Sequence, residues 1–326
     1  MALIDTYGRR INYLRLSVTD RCNLRCSYCM PEAGVKMLSH AQVLSYSDLL
    51  RISSEAVAAG IEKIRVTGGE PLVRKGILGF LNRLGALPGL KELVLTTNGL
   101  LLKDMARGLR DAGVQRLNVS LDSLKPETFA SITRGGSLAL VLEGIDAAER
   151  AGFPPHKINV VVMRGVNDRE ILDFVRLSIE RPYAVRFIEY MPTCGDADWR
   201  ALCVPGSEIM ARIAEQFDVE ESGSSERSGP SKNFRIQGAL GSLGIITPMT
   251  GHFCDACNRL RVTASGVAKG CLFDGAGVDL KPVLAKCDDR LLRQEIQRIV
   301  EGKPGRHQVA VEGVETAPFA MSRVGG

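Results

Sequence analysis

The first 190 residues repeat one unit six times, and that repetition limits the folds open to the chain. Apolar, β-branched runs predict strands at 14–18, 63–67, 92–96, 116–121, 157–163 and 184–190. Amphipathic stretches between them predict helices, among them 47–59, 103–112, 138–151 and 168–178. Gly60, Gly113 and Gly152 stand where these helices should stop. Strands alternating with helices over short connections make a parallel α/β sheet. Eight units would close a barrel; six leave a doubly wound open sheet or a six-unit partial barrel. Signatures at the strand ends separate these two. Thr19-Asp20-Arg21-Cys22, Thr67-Gly68-Gly69-Glu70-Pro71, Thr97-Asn98-Gly99, Ser120-Leu121-Asp122 and Met191-Pro192 each follow or end a strand. A barrel gathers such ends around one cavity, whereas an open sheet scatters the outer ones. The expected fold is therefore a partial (β/α)6 TIM-like barrel. Residues 220–231 are polar and rich in Ser and Gly, which marks a surface segment. The expected units are residues 1–220 and a smaller C-terminal domain over 232–326.

Cys22, Cys26 and Cys29 form C-x3-C-x2-C just after the first strand. Three thiolates at that spacing can each hold one corner of a four-iron cluster and leave the fourth iron open. Most cluster sites use four cysteines and only move electrons; an open iron points to chemistry. A closed zinc site needs a fourth ligand, and the next His along the chain is His40. A second set, Cys254 and Cys257 followed by Cys271, has C-x2-C-x13-C spacing. On spacing alone it fits either a second open cluster or zinc with His252 as fourth ligand. Arg259 and Arg261 follow the pair and share one side of a strand. Two guanidiniums on one face suit a phosphate-rich anion, although for two arginines alone a solvated strand face is the favoured reading.

Composition narrows the rest. No stretch of eighteen apolar residues occurs, so no membrane span is expected. The opening Met1-Ala2-Leu3-Ile4-Asp5 lacks a basic region before an apolar run, so no secretory signal is expected. The nine cysteines are then expected as reduced thiols or metal ligands in a cytoplasmic protein. A net charge of +5 with 5% aromatics argues against a nucleic-acid groove.

C-x3-C-x2-C with Tyr28 before the last cysteine resembles the signature of radical S-adenosylmethionine enzymes. In that superfamily the open iron chelates S-adenosylmethionine, whose reductive cleavage gives a 5′-deoxyadenosyl radical. The two cysteine sets together, Asn258-Arg259-Leu260-Arg261 and the terminal Gly325-Gly326 are similar to the GTP 3′,8-cyclase family nearly end to end. That resemblance implies two [4Fe-4S] clusters, S-adenosylmethionine as cosubstrate and GTP as substrate. It implies conversion of GTP to (8S)-3′,8-cyclo-7,8-dihydroguanosine 5′-triphosphate, the first step of molybdenum cofactor biosynthesis. It assigns Arg15, Arg65, Thr96, Lys157, Arg259, Leu260 and Arg261 to GTP. Tyr28, Gly69, Ser120 and Met191 are assigned to S-adenosylmethionine, and Cys254, Cys257 and Cys271 to the second cluster. Gly325 and Gly326 are implied to reach the active site. A flavodoxin-like low-potential donor, a downstream cyclic pyranopterin monophosphate synthase and a homodimer are the implied partners. Cys194, Cys203 and Cys287 receive no role. A different radical enzyme with an auxiliary cluster, such as a peptide-modifying maturase, is the alternative; such enzymes usually carry a longer C-terminal cysteine array. A two-cluster electron carrier or a zinc module would leave the glycine loop and the arginines without a purpose.

Overall fold

The computed structural model describes residues 2–192, 199–223, 229–251, 253–273, 277–307 and 321. Six parallel strands run in chain order: β1 (Tyr13–Ser17), β2 (Lys63–Thr67), β3 (Glu92–Thr97), β4 (Arg116–Ser120), β5 (Lys157–Val162) and β6 (Ala184–Glu189). Each coincides with an expected strand to within two residues at either end. Six more follow: β7 (Val219–Ser222), β8 (Lys232–Ile236), β9 (Ser242–Ile246), β10 (Arg259–Val262), β11 (Val267–Lys269) and β12 (Val278–Asp279). The order across the sheet is β12-β11-β10-β1-β2-β3-β4-β5-β6-β9-β8-β7.

The chain's later strands therefore dock on both edges of the first six. β10 adds parallel to β1, and β9 adds parallel to β6. Antiparallel strands finish each side. β9 and β10 do not pair with each other, so the parallel sheet curves without closing, as the partial barrel expectation requires. Side chains from both ends of the strand order line one cavity, which a flat sheet could not bring about.

Local chemistry sets the helices. Ser45 caps the helix Tyr46–Ala59 in a reciprocal box with Asp48, and Gly60 ends it at φ 124°. The expected 168–178 helix splits into a 3-10 turn at Asp168–Glu170 and an α-helix at Ile171–Glu180. A late helix, Asp289–Glu301, returns across the molecule to pack on the first one, where Arg293 bonds Glu55 at 2.7 Å. The strands alternate strictly. Leu14, Leu16, Ile64, Val66, Val185, Phe187, Leu260 and Val262 face the helix layer and are fully buried. Their neighbours Tyr13, Arg15, Arg65, Thr67, Arg186, Ile188, Arg259 and Arg261 face the cavity. Among the described residues no helix is long and apolar enough to cross a membrane.

Candidate active site

The cavity measures about 250 Å³, and both cysteine sets open into it. Cys22, Cys26 and Cys29 stand at one side on the loop after β1. Cys254, Cys257 and Cys271 come from segments flanking β10 and β11. All six are free thiols. Sets separated by more than two hundred residues in sequence thus share one chamber, because β10 lies beside β1.

The first cysteine loop rests on the glycine turn after β2. Gly69 N–H donates to Thr19 O at 2.7 Å and Glu70 N–H to Arg21 O at 2.8 Å. A Cβ on Gly69 would lie 2.4 Å from Arg21 O, and one on Gly68 2.6 Å from Thr19 O. Only glycine permits that backbone approach. Glu70 locks the arrangement. It is buried and accepts from Leu72 N–H at 3.1 Å, the Thr97 hydroxyl at 2.9 Å and Asn98 N–H at 2.7 Å. Asn98 in turn reaches Cys22 Sγ at 3.8 Å. Arg134 brackets the other two thiols, donating to Arg25 O at 3.2 Å and Met30 O at 2.9 Å. Tyr28 donates to Asp122 at 2.8 Å, and Asp122 also accepts from Val161 N–H at 2.9 Å. Burial raises Glu70 to about 7 and Asp122 to about 6. Burial also pushes the Cys26 thiol well above its usual range, helped by Asp122, and raises Cys22. Thiols in such surroundings become thiolates readily only when a cationic metal centre binds them.

The opposite wall is cationic. Arg261, Arg15 and Arg65 occupy one register row on adjacent strands β10, β1 and β2. Arg259 stands beside Tyr13 in a neighbouring row, and Arg186 faces inward from β6. Burial and mutual repulsion lower Arg15 well below its ordinary value, and bring Arg261 and Arg186 to about 10. Lys157 falls to about 6, first from burial and then from Arg186, Lys63, Arg65 and Arg116. Nε of Arg15, Arg65 and Arg186 and Oγ1 of Thr96 are buried without a hydrogen-bond partner among the described residues. Asn118, its amide oxygen turned inward, accepts from both Arg65 terminal nitrogens at 3.1 and 3.2 Å. A wall of buried, mutually repelling cations with unmet donors is arranged for a polyanion. Cys257 shares this field: burial alone would raise it, but Arg259 and Lys303 outweigh that and hold it at about 6. Arg259 reaches its sulfur at 3.5 Å.

Of the residues assigned by resemblance, Arg15, Arg65, Thr96, Arg259, Arg261, Tyr28, Gly69, Ser120 and Met191 all line the cavity. Lys157 lies within electrostatic reach of Arg65 and Arg186. The Leu260 side chain turns to the core, so only its backbone is offered to a ligand. Gly325, Gly326, Cys194 and His252 lie outside the described residues. Cys203 is buried and Cys287 exposed, and neither lines the cavity. Sequence reading missed Glu70, Asp122 and Arg186 as individual site residues. Arg186 carried a signal: a charged residue centred in an apolar strand run, Val185-Arg186-Phe187.

The donor chemistry fits iron–sulfur clusters at both sets: three free thiols each, no disulfide, and a shared chamber beside them. A family model of the Radical SAM superfamily matches residues 16–178, and one of Molybdenum Cofactor Synthesis C matches 183–309. Fold and site thus define a radical SAM protein. The solved structure of Streptococcus suis SuiB bound to S-adenosylmethionine shares the fold with TM-score 0.62 at 14% identity, covering 89% of this chain and 69% of that one. GTP 3′,8-cyclase of Geobacter sulfurreducens is 60% identical over 326 residues, all of both chains. The Moorella thermoacetica GTP 3′,8-cyclase is 46% identical, covering 99% of each chain. The chain belongs to the GTP 3′,8-cyclase family.

Proposed function

We propose that the protein cyclises GTP to (8S)-3′,8-cyclo-7,8-dihydroguanosine 5′-triphosphate, the first step of molybdenum cofactor biosynthesis. The observation that carries this is the single cavity in which two three-thiol sets face a wall of buried arginines. Cys22, Cys26 and Cys29 would hold the cluster that receives S-adenosylmethionine; Cys254, Cys257 and Cys271 would hold a second. When bound, the first cluster and S-adenosylmethionine supply a carbon radical able to remove a ribose hydrogen.

The chain's own residues do the placing. Glu70 and Asp122 make the first end acidic, which suits a sulfonium cosubstrate seated near Tyr28, Gly69, Ser120 and Met191. Arg15, Arg65, Arg259, Arg261 and Lys157 make the other end basic, which suits the triphosphate. Held between two ends of opposite charge, the substrate has one orientation, and the buried walls keep water from a reactive intermediate. Residues 232–326 are the proposed unit that carries the second set and the Gly325-Gly326 tail. A flavodoxin-like donor, a downstream cyclic pyranopterin monophosphate synthase, a homodimeric assembly and a cytoplasmic location complete the reading.

Anaerobically reconstituted protein should bind about eight irons per chain and form the cyclised nucleotide from GTP, S-adenosylmethionine and dithionite. Four irons with one zinc, or 5′-deoxyadenosine release indifferent to GTP, would refute the assignment.

Lys157 gives a second expectation. Its ammonium is mostly neutral near pH 7.5, since its value lies at about 6. A polyanion beside it favours the charged form, so GTP binding should take up as much as about one proton at that pH. Calorimetry in buffers of different ionisation enthalpy reads the uptake directly. Lys157→Met should lower it; an uptake unchanged in Lys157→Met would rule the coupling out.

A further inference from the structure

We infer that Lys303 is the positioning residue of the second thiol set, clamping together the two separate stretches that carry Cys257 and Cys271. This rests on the proposal that the set holds a cluster. Cys257 precedes β10 and Cys271 follows β11, so both lie at the open end of the antiparallel hairpin, beyond its Arg261–Lys269 pair. Lys303 bridges them from beneath. It is 3% exposed, and its Nζ donates to Arg259 O, two residues after Cys257, at 3.2 Å. The same Nζ donates to Gly270 O, the residue before Cys271. Gly270 is small enough to admit the lysine stem: a Cβ there would lie 3.2 Å from Lys303 Cβ.

The third cysteine is held by Arg9, which also bonds the residues after Lys303. Arg9, buried, donates to Cys254 O at 2.7 Å, to Pro304 O at 2.8 Å and to Gly305 O at 3.0 Å. Asp5 fixes its guanidinium at 2.5 Å. Lys303 thus holds the backbone beside Cys257 and Cys271, and Arg9 ties Cys254 O to the carbonyls of Pro304 and Gly305 that follow it. The first set shows the same device, with Arg134 bonded to the carbonyls on either side of Cys26 and Cys29. Side chains that orient metal ligands from behind typically matter by about 10–100-fold in metal affinity. An ammonium under a cluster also supplies positive charge, one of the factors that sets its potential.

The test uses the full chain with Cys22, Cys26 and Cys29 changed to alanine, so that only the second set can bind iron. That parent should hold about four irons; a parent without iron would refute the cluster reading itself and is distinguishable from failure of the clamp. In this parent, Lys303→Met should weaken iron retention under chelator challenge by about 10–100-fold and change the electron paramagnetic resonance signal. Lys303→Arg, which keeps donors and charge, should restore much of both. With the first set intact and the second replaced by alanine, Lys303→Met should leave iron unchanged. Native retention and an unaltered signal in Lys303→Met would overturn the inference. So would equal iron loss from both sets, which would make Lys303 a support of the fold at large.

Discussion

Replacing Arg15 by methionine should weaken GTP binding by roughly 10–100-fold and leave the unliganded protein at least as stable. Arg15 sits between Arg261 and Arg65 in one register row, its Nε without a partner among the described residues. A charge-assisted hydrogen bond contributes about 1.5–3 kcal/mol, and each 1.4 kcal/mol is about tenfold in affinity. In the empty site the balance reverses. The charge is buried, repelled on both sides, and pushed well below its ordinary value. Replacing even a buried ion pair by apolar side chains of similar volume is often neutral or stabilising, and Arg15 has repulsive neighbours where such a pair has an attractive one. Denaturant unfolding and calorimetric titration with GTP measure the two quantities independently. A variant that loses stability while binding GTP normally would mean that Arg15 serves the core and not the ligand.

Glu70→Ala carries the largest expected effect on stability. The side chain is 1% exposed and accepts from Leu72 N–H, the Thr97 hydroxyl and Asn98 N–H. Alanine strands three donors, two of them in buried bonds, at about 1–3 kcal/mol each, so a loss of at least roughly 3 kcal/mol is expected. The first cysteine set should suffer with it, because Asn98 and the backbone of residue 70 both brace the Cys22 loop. Iron lost from Cys22, Cys26 and Cys29 but kept on the second set is the expected signature. The carboxyl also has a pH dependence of definite sign. Its folded value of about 7 exceeds the ordinary carboxyl value of 4.5, so the folded protein holds the proton more tightly. Its stability contribution is complete below about 4.5 and is lost as pH rises through about 7. Glu70→Gln, which cannot ionise, should flatten that part of the unfolding profile. An unchanged profile would place the carboxyl's titration elsewhere.

Six strands and the two cysteine spacings were legible in the sequence because both are local. Alternation of polar and apolar side chains writes itself into runs such as Lys63-Ile64-Arg65-Val66-Thr67, and a thiol triad needs only a loop of the right length. The helices Ile77–Gly85 and Pro126–Thr133 and the strands after residue 219, apart from the one that carries Arg259 and Arg261, were not read. They are short, and tertiary contacts supply their stability. The resemblance named fewer than half of the cavity's residues individually, and their mutual placement was not in the sequence.

By itself the sequence determined the repeating unit, the spacing of each cysteine set and the placing of Arg259 and Arg261 on one strand face. Only the tertiary structure decided that these belong to one chamber. β10 adds parallel to β1 and so sets Arg261 beside Arg15 and Arg65, and the second thiol set across from the first. That pairing joins residues more than two hundred positions apart. It is selected by burial of Leu260 and Val262 against the shared core, which places the alternate residues, Arg259 and Arg261, in the cavity.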